Sequence, residues 1–516
     1  MPPAFASLLH RLGNMLTAAN GWPALCLILA VCVVVRLPPG GGVAPAHGDV
    51  PAYLAGAYHL RTAKIYSMAT TPGATTPGPA TPELGREPVY PLFLAAIMVL
   101  DRRFGGFTPA CLAANNACPA STYRIPSLAN AALILATGIA VFLLGRMIAG
   151  RPAGGLIAAA YLLWNAHFNK AWADLMSDRL AVFLVALAML ALACAWQKSA
   201  WAHCAENLRS ARTARLAQAC RFGLAGAGFA TLTLTKAIFL PFSIAAWLAA
   251  AVITVTGRKN HAGPGRFIAL LAAASIYVVL VGGWVFRNWE VSGMARLTDA
   301  RSGIALSTRE VFDTMSPRQY AAALVYWTGS TGPKFAARWF GADTANRFNL
   351  DMPGSYYDVG QNGYMRRVHE LQAARGLPFW QAAAETDREI IGRIRRHFGG
   401  YLVTMLPLTY RGLWIDEFLF LGIPCLSLAL WHAIRRRDGL LLALLSIGAF
   451  NIIAYAAVSL NLQRYQMTAM PAIALAVGVT FAGRKPKPEQ AAIIAGGSLR
   501  ESVPRMRGNG FFPPGS

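Results

Sequence analysis

Long stretches of this chain, among them 126–145, 180–197, 267–286 and 439–460, contain no charged side chain. A helix needs roughly 20 predominantly apolar residues to cross the hydrocarbon of a bilayer. In lipid every backbone amide must also be satisfied within its own segment, which favours helices over open strands. Six further apolar runs lie at 22–35, 154–166, 222–234, 237–256, 417–434 and 466–483. Several are shorter than a full crossing, so tilts, kinks or flanking residues must complete them. Composition agrees: 55% of residues are hydrophobic and 14% charged, against about a quarter charged in soluble domains. The expected fold class is an all-α polytopic membrane protein with about ten transmembrane helices.

Basic residues set the orientation. The run 88–100 is the ambiguous one, because counting it as a span would send the triple arginine 435–437 outward. Read as a non-crossing helix on the outer face, it leaves Arg11, 145–151, 198–221, 257–266, 435–437 and 483–487 inside. That distribution obeys the positive-inside rule with both termini cytoplasmic. The acids agree independently. Of 23 Asp and Glu residues, only Glu206, Asp438, Glu489 and Glu501 fall inside. The polar chemistry therefore belongs to the outer face.

Two outer segments are long, 36–125 and 287–416. The first includes a Thr/Pro/Gly-rich patch at 69–83, a loop by composition; the second holds an amphipathic helix near 380–397. The organisation expected is a membrane module at 1–286, the extracytoplasmic region 287–416, C-terminal spans at 417–483 and a basic, disordered tail at 484–516. The run at 22–35 reads as an uncleaved anchor. The net charge of +24 is spread between apolar runs. It fits loops meeting anionic lipid headgroups better than nucleic acid. Eight cysteines include no CxxC pair, which argues against zinc. Cys111 and Cys118 share one loop and read equally as a disulfide or as two thiols.

Candidate chemistry gathers at outer span ends. Asp49 is the first acid of the chain and precedes Pro51, which reads both as a helix cap and as an anchored base. Arg86 and Glu87 stand before a Pro-bounded apolar helix, where a guanidinium is suited to bidentate contact with phosphate. Lys170, Asp174, Asp178 and Arg179 cluster before the fourth span, with Asp174 and Asp178 on one helical face. They read as an interfacial charge cluster, or as a second carboxylate that orients an acceptor or assists a divalent ion. Lys236 sits where two apolar helices meet, a functional candidate or a snorkelling anchor. Arg287 and Asn288 close the seventh span, and Arg464 and Tyr465 open the last. His47, His59, His167 and His369 show no metal-ligand spacing.

The succession of these pieces resembles the polyprenyl-phosphate-sugar-dependent glycosyltransferases of the GT-C fold, in the bacterial branch related to protein mannosyltransferases and aminoarabinose transferases. The resemblance is carried by Asp49, Tyr53, Ala57 and Leu60, then by the R-x-P-x-Y-P-x-F-L-A run from Arg86 to Ala95. It continues through YRIPS (123–127), GRPAGG (150–155), SDRL (177–180), LTKAIFLP (234–241), WVFRN (284–288) and the Arg464-Tyr465 pair before Pro471. It spans roughly residues 22–480. The resemblance implies a sugar donor on polyprenyl phosphate in the membrane and a lipid, glycan or protein acceptor from the outer side. It implies Asp49 as general base for an inverting attack. Arg86, Arg464, Lys236, Tyr465 and Tyr90 would serve the donor phosphate, and Asp178, Asp174 or Glu87 would supply an acceptor-side carboxylate. The localisation implied is a bacterial inner membrane, with the site on the periplasmic side.

Two departures stand out. The family often has Glu at the position of Asp178, and an Asp-Glu pair where this chain has Asp49 followed by Val50. No cofactor is expected with certainty, and dependence on a divalent cation stays open. The competing readings are a flippase or transporter of lipid-linked sugars, or a lipid-linked oligosaccharide polymerase or ligase. A transporter predicts ionisable groups near mid-bilayer, whereas the charges here sit at span ends.

Overall fold

The apolar runs form helices throughout. The computed structural model describes residues 21–36, 49–68, 82–108, 119–165, 168, 174–196, 211–256, 264–298, 301–415 and 419–483. Cys111, Cys118, Lys170, His47, His167, the stretch 69–81 and the tail from 484 lie outside them. Among the described residues every regular element is helical.

Numbered in chain order, omitting 3-10 segments and helices under six residues, the elements up to residue 300 are α1 (Trp22–Arg36), α2 (Val50–Thr62), α3 (Val89–Leu100), α4 (Arg124–Ala149), α5 (Pro152–Trp164), α6 (Asp178–Trp196), α7 (Ala211–Thr233), α8 (Phe239–Thr256) and α9 (Pro264–Ser292). Six helices follow in the region expected to lie outside the membrane: α10 (Arg301–Val311), α11 (Pro317–Tyr326), α12 (Gly332–Phe340), α13 (Tyr356–Arg375), α14 (Phe379–Arg396) and α15 (Phe398–Leu413). The chain returns through α16 (Leu419–Arg435), α17 (Gly439–Val458), a 3-10 segment (Gln463–Ala469) and α18 (Met470–Ala482).

Five of these stretches are long and apolar enough to cross a membrane, namely Ser121–Ala149, Asp178–Trp196, Phe267–Ser292, Gly439–Val458 and Gln463–Ala482. Five shorter apolar helices accompany them: Trp22–Val35, Val89–Leu100, Pro152–Trp164, Phe239–Val252 and Leu419–Arg435. The run expected at 222–234 belongs to α7, which starts at Ala211 and carries basic residues in its first half. At 12 residues, α3 rises about 18 Å, well short of a hydrocarbon core about 30 Å thick. It packs along α2.

Helix packing rests on small residues. Gly150, at φ 67°, closes α4 in the left-handed conformation, and Pro152 occupies the first turn of α5. Glycine after a helix and proline at the start of the next are the residues those positions favour. The two helices then pack closely: a Cβ on Gly145 would stand 2.8 Å from the Gly154 carbonyl oxygen, and one on Gly155 would strike the carbonyl of Phe142. Lipid tails are as apolar as leucine, so such close backbone approach supplies the association of helices in a bilayer. α18 joins the same stack against α5.

The large apolar core runs through α1–α9 and α16–α18. A second core links the outer helices to the membrane part, with Phe312, Trp327, Phe348 and Tyr356 packed against Leu408, Ala456 and Leu460. Arg309 fastens this junction. It is fully buried, donates to the Ala456 carbonyl from Nε at 2.9 Å and pairs with Asp313 at 2.7 Å.

Candidate functional site

Asp49 stands at the N-cap position of α2, with Pro51 in the first turn. The cap expected of it is not made: no amide of the helix donates to its side chain. Its Oδ1 instead accepts a hydrogen bond from Arg86 Nη2 at 2.9 Å, a pair whose side chains are 13% and 10% exposed. A guanidinium offers a stronger, charge-assisted partner than a backbone amide, which explains the turn away from the helix.

The segment that carries Arg86 and Glu87 is pinned from three sides. Tyr66 Oη donates to the Arg86 carbonyl at 2.8 Å and the Glu87 carbonyl at 3.2 Å. The Val89 amide donates to the Leu234 carbonyl at 3.2 Å, and the Ala237 amide to Glu87 Oε1 at 2.9 Å. Arg287, at the end of α9, donates to the carbonyls of Glu83 at 2.8 Å and Tyr66 at 3.3 Å. Pro88 ends the segment and starts α3. The local fold thus fixes where Arg86 points.

Three more charges close around this pair. Asp178, in the first turn of α6, accepts from Lys236 Nζ at 2.6 Å. Lys236 lies in the turn between α7 and α8. Arg464, on the 3-10 segment, brings Nη2 to 4.0 Å from Asp49 Oδ2 and also acts electrostatically on Asp178. Positive and negative groups therefore alternate along Arg86, Asp49, Arg464, Asp178 and Lys236. Each carboxylate faces a cation, so removing one partner would strand a largely buried charge at a cost of about 3–5 kcal/mol.

Aromatic rings wall the cluster. Tyr53 lies under the Arg86 guanidinium at 5.6 Å, meets Tyr90 edge-on at 5.0 Å and shares a hydrogen bond with Ser177 at 3.1 Å. Tyr465 carries Lys236 at 5.9 Å and Arg464 at 5.2 Å over its ring and stacks on Tyr455 at 5.0 Å. Burial shifts the titrations. The Tyr53 phenol is pushed up, chiefly by desolvation. The Glu87 carboxyl is also pushed up by desolvation, although the Ala237 amide opposes this. Burial pulls Lys236 down, but the Asp178 carboxylate together with Tyr455 and Tyr53 holds it above its ordinary value.

The structure brings together Asp49, Arg86, Glu87, Asp178, Lys236, Arg464 and Tyr465. Tyr90 is fully buried behind Tyr53. The carbonyl of Asp174 accepts from Asn130 at 2.8 Å, and its charge acts on Arg179. Sequence reasoning passed over the polar scaffold under the 3-10 segment. Asn461, at φ 51°, accepts from Gln466 Nε2 at 2.5 Å and donates to the Leu408 carbonyl at 2.8 Å. Asn tolerates the left-handed region better than most residues. An Asn just before an Arg-Tyr pair was the available signal.

Two guanidinium nitrogens here, Arg86 Nη1 and Arg464 Nε, are buried without an acceptor. Buried donors without acceptors are rare and costly, and these two flank Asp49. Among the described residues no group of three or more His, Cys, Asp or Glu side chains is placed to hold a metal ion.

No protein-family model matches this chain, and no curated protein matches it. Solved structures of an archaeal oligosaccharyltransferase from Archaeoglobus fulgidus are similar to it. In complex with an inhibitory peptide and a dolichol-phosphate, that enzyme is 14% identical with a TM-score of 0.47, over 94% of this chain and 52% of the other. Tethered to an acceptor peptide with an NVT sequon, it is again 14% identical with a TM-score of 0.48, over 95% of this chain and 54% of the other. The chain thus spans about half the length of the oligosaccharyltransferase chains to which it is similar, at 52% and 54%.

Proposed function

We propose that this protein is an integral membrane glycosyltransferase of GT-C type, moving a sugar from a polyprenyl-phosphate donor to an acceptor hydroxyl. The observation that carries the reading is Asp49, held between Arg86 and Arg464 where apolar helices end. A carboxylate flanked by guanidinium groups with unused donors has what the reaction needs. The carboxylate takes the proton of the attacking hydroxyl as general base. The guanidinium groups, with Lys236 nearby, stabilise the lipid phosphate as it leaves. Attack by one group and departure of another on opposite faces of the anomeric carbon gives inversion.

In this reading Tyr465 joins Arg86, Arg464 and Lys236 on the donor-phosphate side, and Asp178 supplies the acceptor-side carboxylate. Asp178 orients the acceptor and fixes Lys236. Glu87, bound to the Ala237 amide, holds the turn that carries Lys236 in place. The site would face the periplasm of a bacterial inner membrane, with both termini in the cytoplasm. Should a divalent cation take part, Asp49 and Asp178 are the carboxylates nearest to hand, though each is already engaged by a cation.

The test uses the full chain in detergent with a radiolabelled polyprenyl-phosphate sugar and candidate lipid, glycan and peptide acceptors. Transfer of label to one acceptor class is expected. Failure of transfer from every polyprenyl mono- and diphosphate donor would contradict the reading.

A further inference from the structure

The two guanidinium groups beside Asp49 are held differently. Arg86 makes a hydrogen bond at 2.9 Å with a side chain only 10% exposed. Arg464 Nη2 stands 4.0 Å from Asp49 Oδ2, and its side chain is 38% exposed. That distance lies beyond a hydrogen bond. The contact with Asp49 therefore does not fix Arg464 by itself. Its place depends on the backbone that carries it, the 3-10 segment Gln463–Ala469.

Buried polar side chains hold that backbone. Asn451, Asn461 and Gln466 are fully buried, and Thr468 nearly so. Gln466 Nε2 donates to Asn461 Oδ1 at 2.5 Å and to the Asn451 carbonyl at 3.3 Å. Asn451, on α17, donates to Thr468 Oγ1 and to the Tyr465 carbonyl, the latter at 3.4 Å. Thr468 Oγ1 donates to the same carbonyl at 3.0 Å. The two residues that follow Arg464 are thus bonded to α17 and to Asn461. Asn461 is anchored in turn. Its amide donates to Ser459 Oγ at 3.2 Å, and its Nδ2 to the Leu408 carbonyl of α15 at 2.8 Å. Gly412 of α15 passes so close that a Cβ there would strike the Asn461 side chain. An apolar core would pack this segment at similar stability, because replacing both partners of a buried hydrogen bond by apolar groups is nearly neutral. What such a bonded network adds is one specified conformation.

We propose that Asn461 and Gln466 are positioning residues for Arg464, locking the 3-10 segment so that its guanidinium meets the donor phosphate beside Asp49. This rests on the glycosyltransferase reading and deepens it by naming the buried groups that set one of its phosphate contacts. Asn461 is the centre of the lock. It stands at φ 51°, accepts from Gln466 and donates to α15. Its amide side chain can do both at once because it carries an acceptor and a donor.

The experiment is a double-mutant cycle on equilibrium binding to the full chain in detergent. The probes are a polyprenyl monophosphate and the matching polyprenol, which lacks the phosphate. Arg464→Ala should weaken monophosphate binding by about tenfold, the value of one charge-assisted hydrogen bond. Asn461→Gly removes the amide while keeping the left-handed backbone that glycine adopts without strain. It should weaken the monophosphate about fivefold and leave polyprenol binding unchanged. Combined with Arg464→Ala it should add no further loss, because residues that act through one contact are not additive. Gln466→Met keeps the length of the side chain and removes its bonds. It should repeat the pattern, and it decides the matter if Asn461→Gly does not fold. Unchanged monophosphate binding in Asn461→Gly and Gln466→Met would overturn the proposal. So would a loss of equal size in the Arg464→Ala background, or an equal loss for polyprenol, since either means a purely structural effect. Unchanged binding in Arg464→Ala alone, with a loss in Arg86→Gln, overturns the positioning role and keeps the parent reading. Unchanged binding in both arginine variants sinks the parent reading, and the positioning role falls with it.

Discussion

Single residues here act through the partners they are denied as much as those they have. Asp49 sits where a helix cap belongs, yet it caps nothing and faces Arg86. Sequence alone shows the acid and the following Pro51. It does not show that Arg86, 37 positions on, arrives to outcompete the helix amides. Glu87 gives a prediction at this scale. Desolvation raises its pKa above the ordinary 4.5, so the folded state binds its proton more tightly than the unfolded chain. The stability it contributes is full below about 4.5 and is lost as pH rises through the raised value. Thermal unfolding in detergent should therefore show wild-type stability falling across that window relative to Glu87→Gln. Parallel pH profiles for the two would refute the buried-acid account.

At the scale of elements, the membrane part was legible because length and uninterrupted apolarity leave a helix few alternatives. The ends were not. α7 begins eleven residues before the apolar run at 222–234, at Ala211, because basic residues with good helix propensity extend it. In the outer segment 287–416 the sequence marks an amphipathic helix near 380–397. The structure has α14 at Phe379–Arg396 and five further helices beside it between Arg301 and Leu413. Some of these carried a readable signal: Ser316 and Gln319 form a reciprocal capping box at the start of α11, the pattern of Ser or Thr followed three residues later by Glu or Gln. Between membrane helices the informative residues are glycines. Gly155→Ala would drive a methyl group into the Phe142 carbonyl. Overpacking of this kind should destabilise by about 1–3 kcal/mol, seen as a lower unfolding temperature with unchanged helix content. An unchanged unfolding temperature would mean that α4 and α5 do not depend on this contact.

For the whole molecule, orientation joins the sequence to the site. Positive-inside counting places 287–416 outside and 435–437 inside. The convergence of Asp49, Arg86, Asp178, Lys236 and Arg464 demands that their helix ends share one side. In a cysteine-free background, a membrane-impermeant maleimide should label Ala374→Cys in intact cells and Arg436→Cys only after permeabilisation. Both positions are exposed, so the reverse pattern would invert the topology and move the site to the cytoplasmic face. The central claim is that Asp49 removes the acceptor proton while its guanidinium neighbours hold the donor. It is tested most directly by single-turnover transfer from a polyprenyl-phosphate sugar, with donor affinity measured in parallel, for wild type and Asp49→Asn. Donor binding should stay within about threefold while transfer falls by about 10²–10⁴-fold; equal transfer rates in the two proteins would contradict the account.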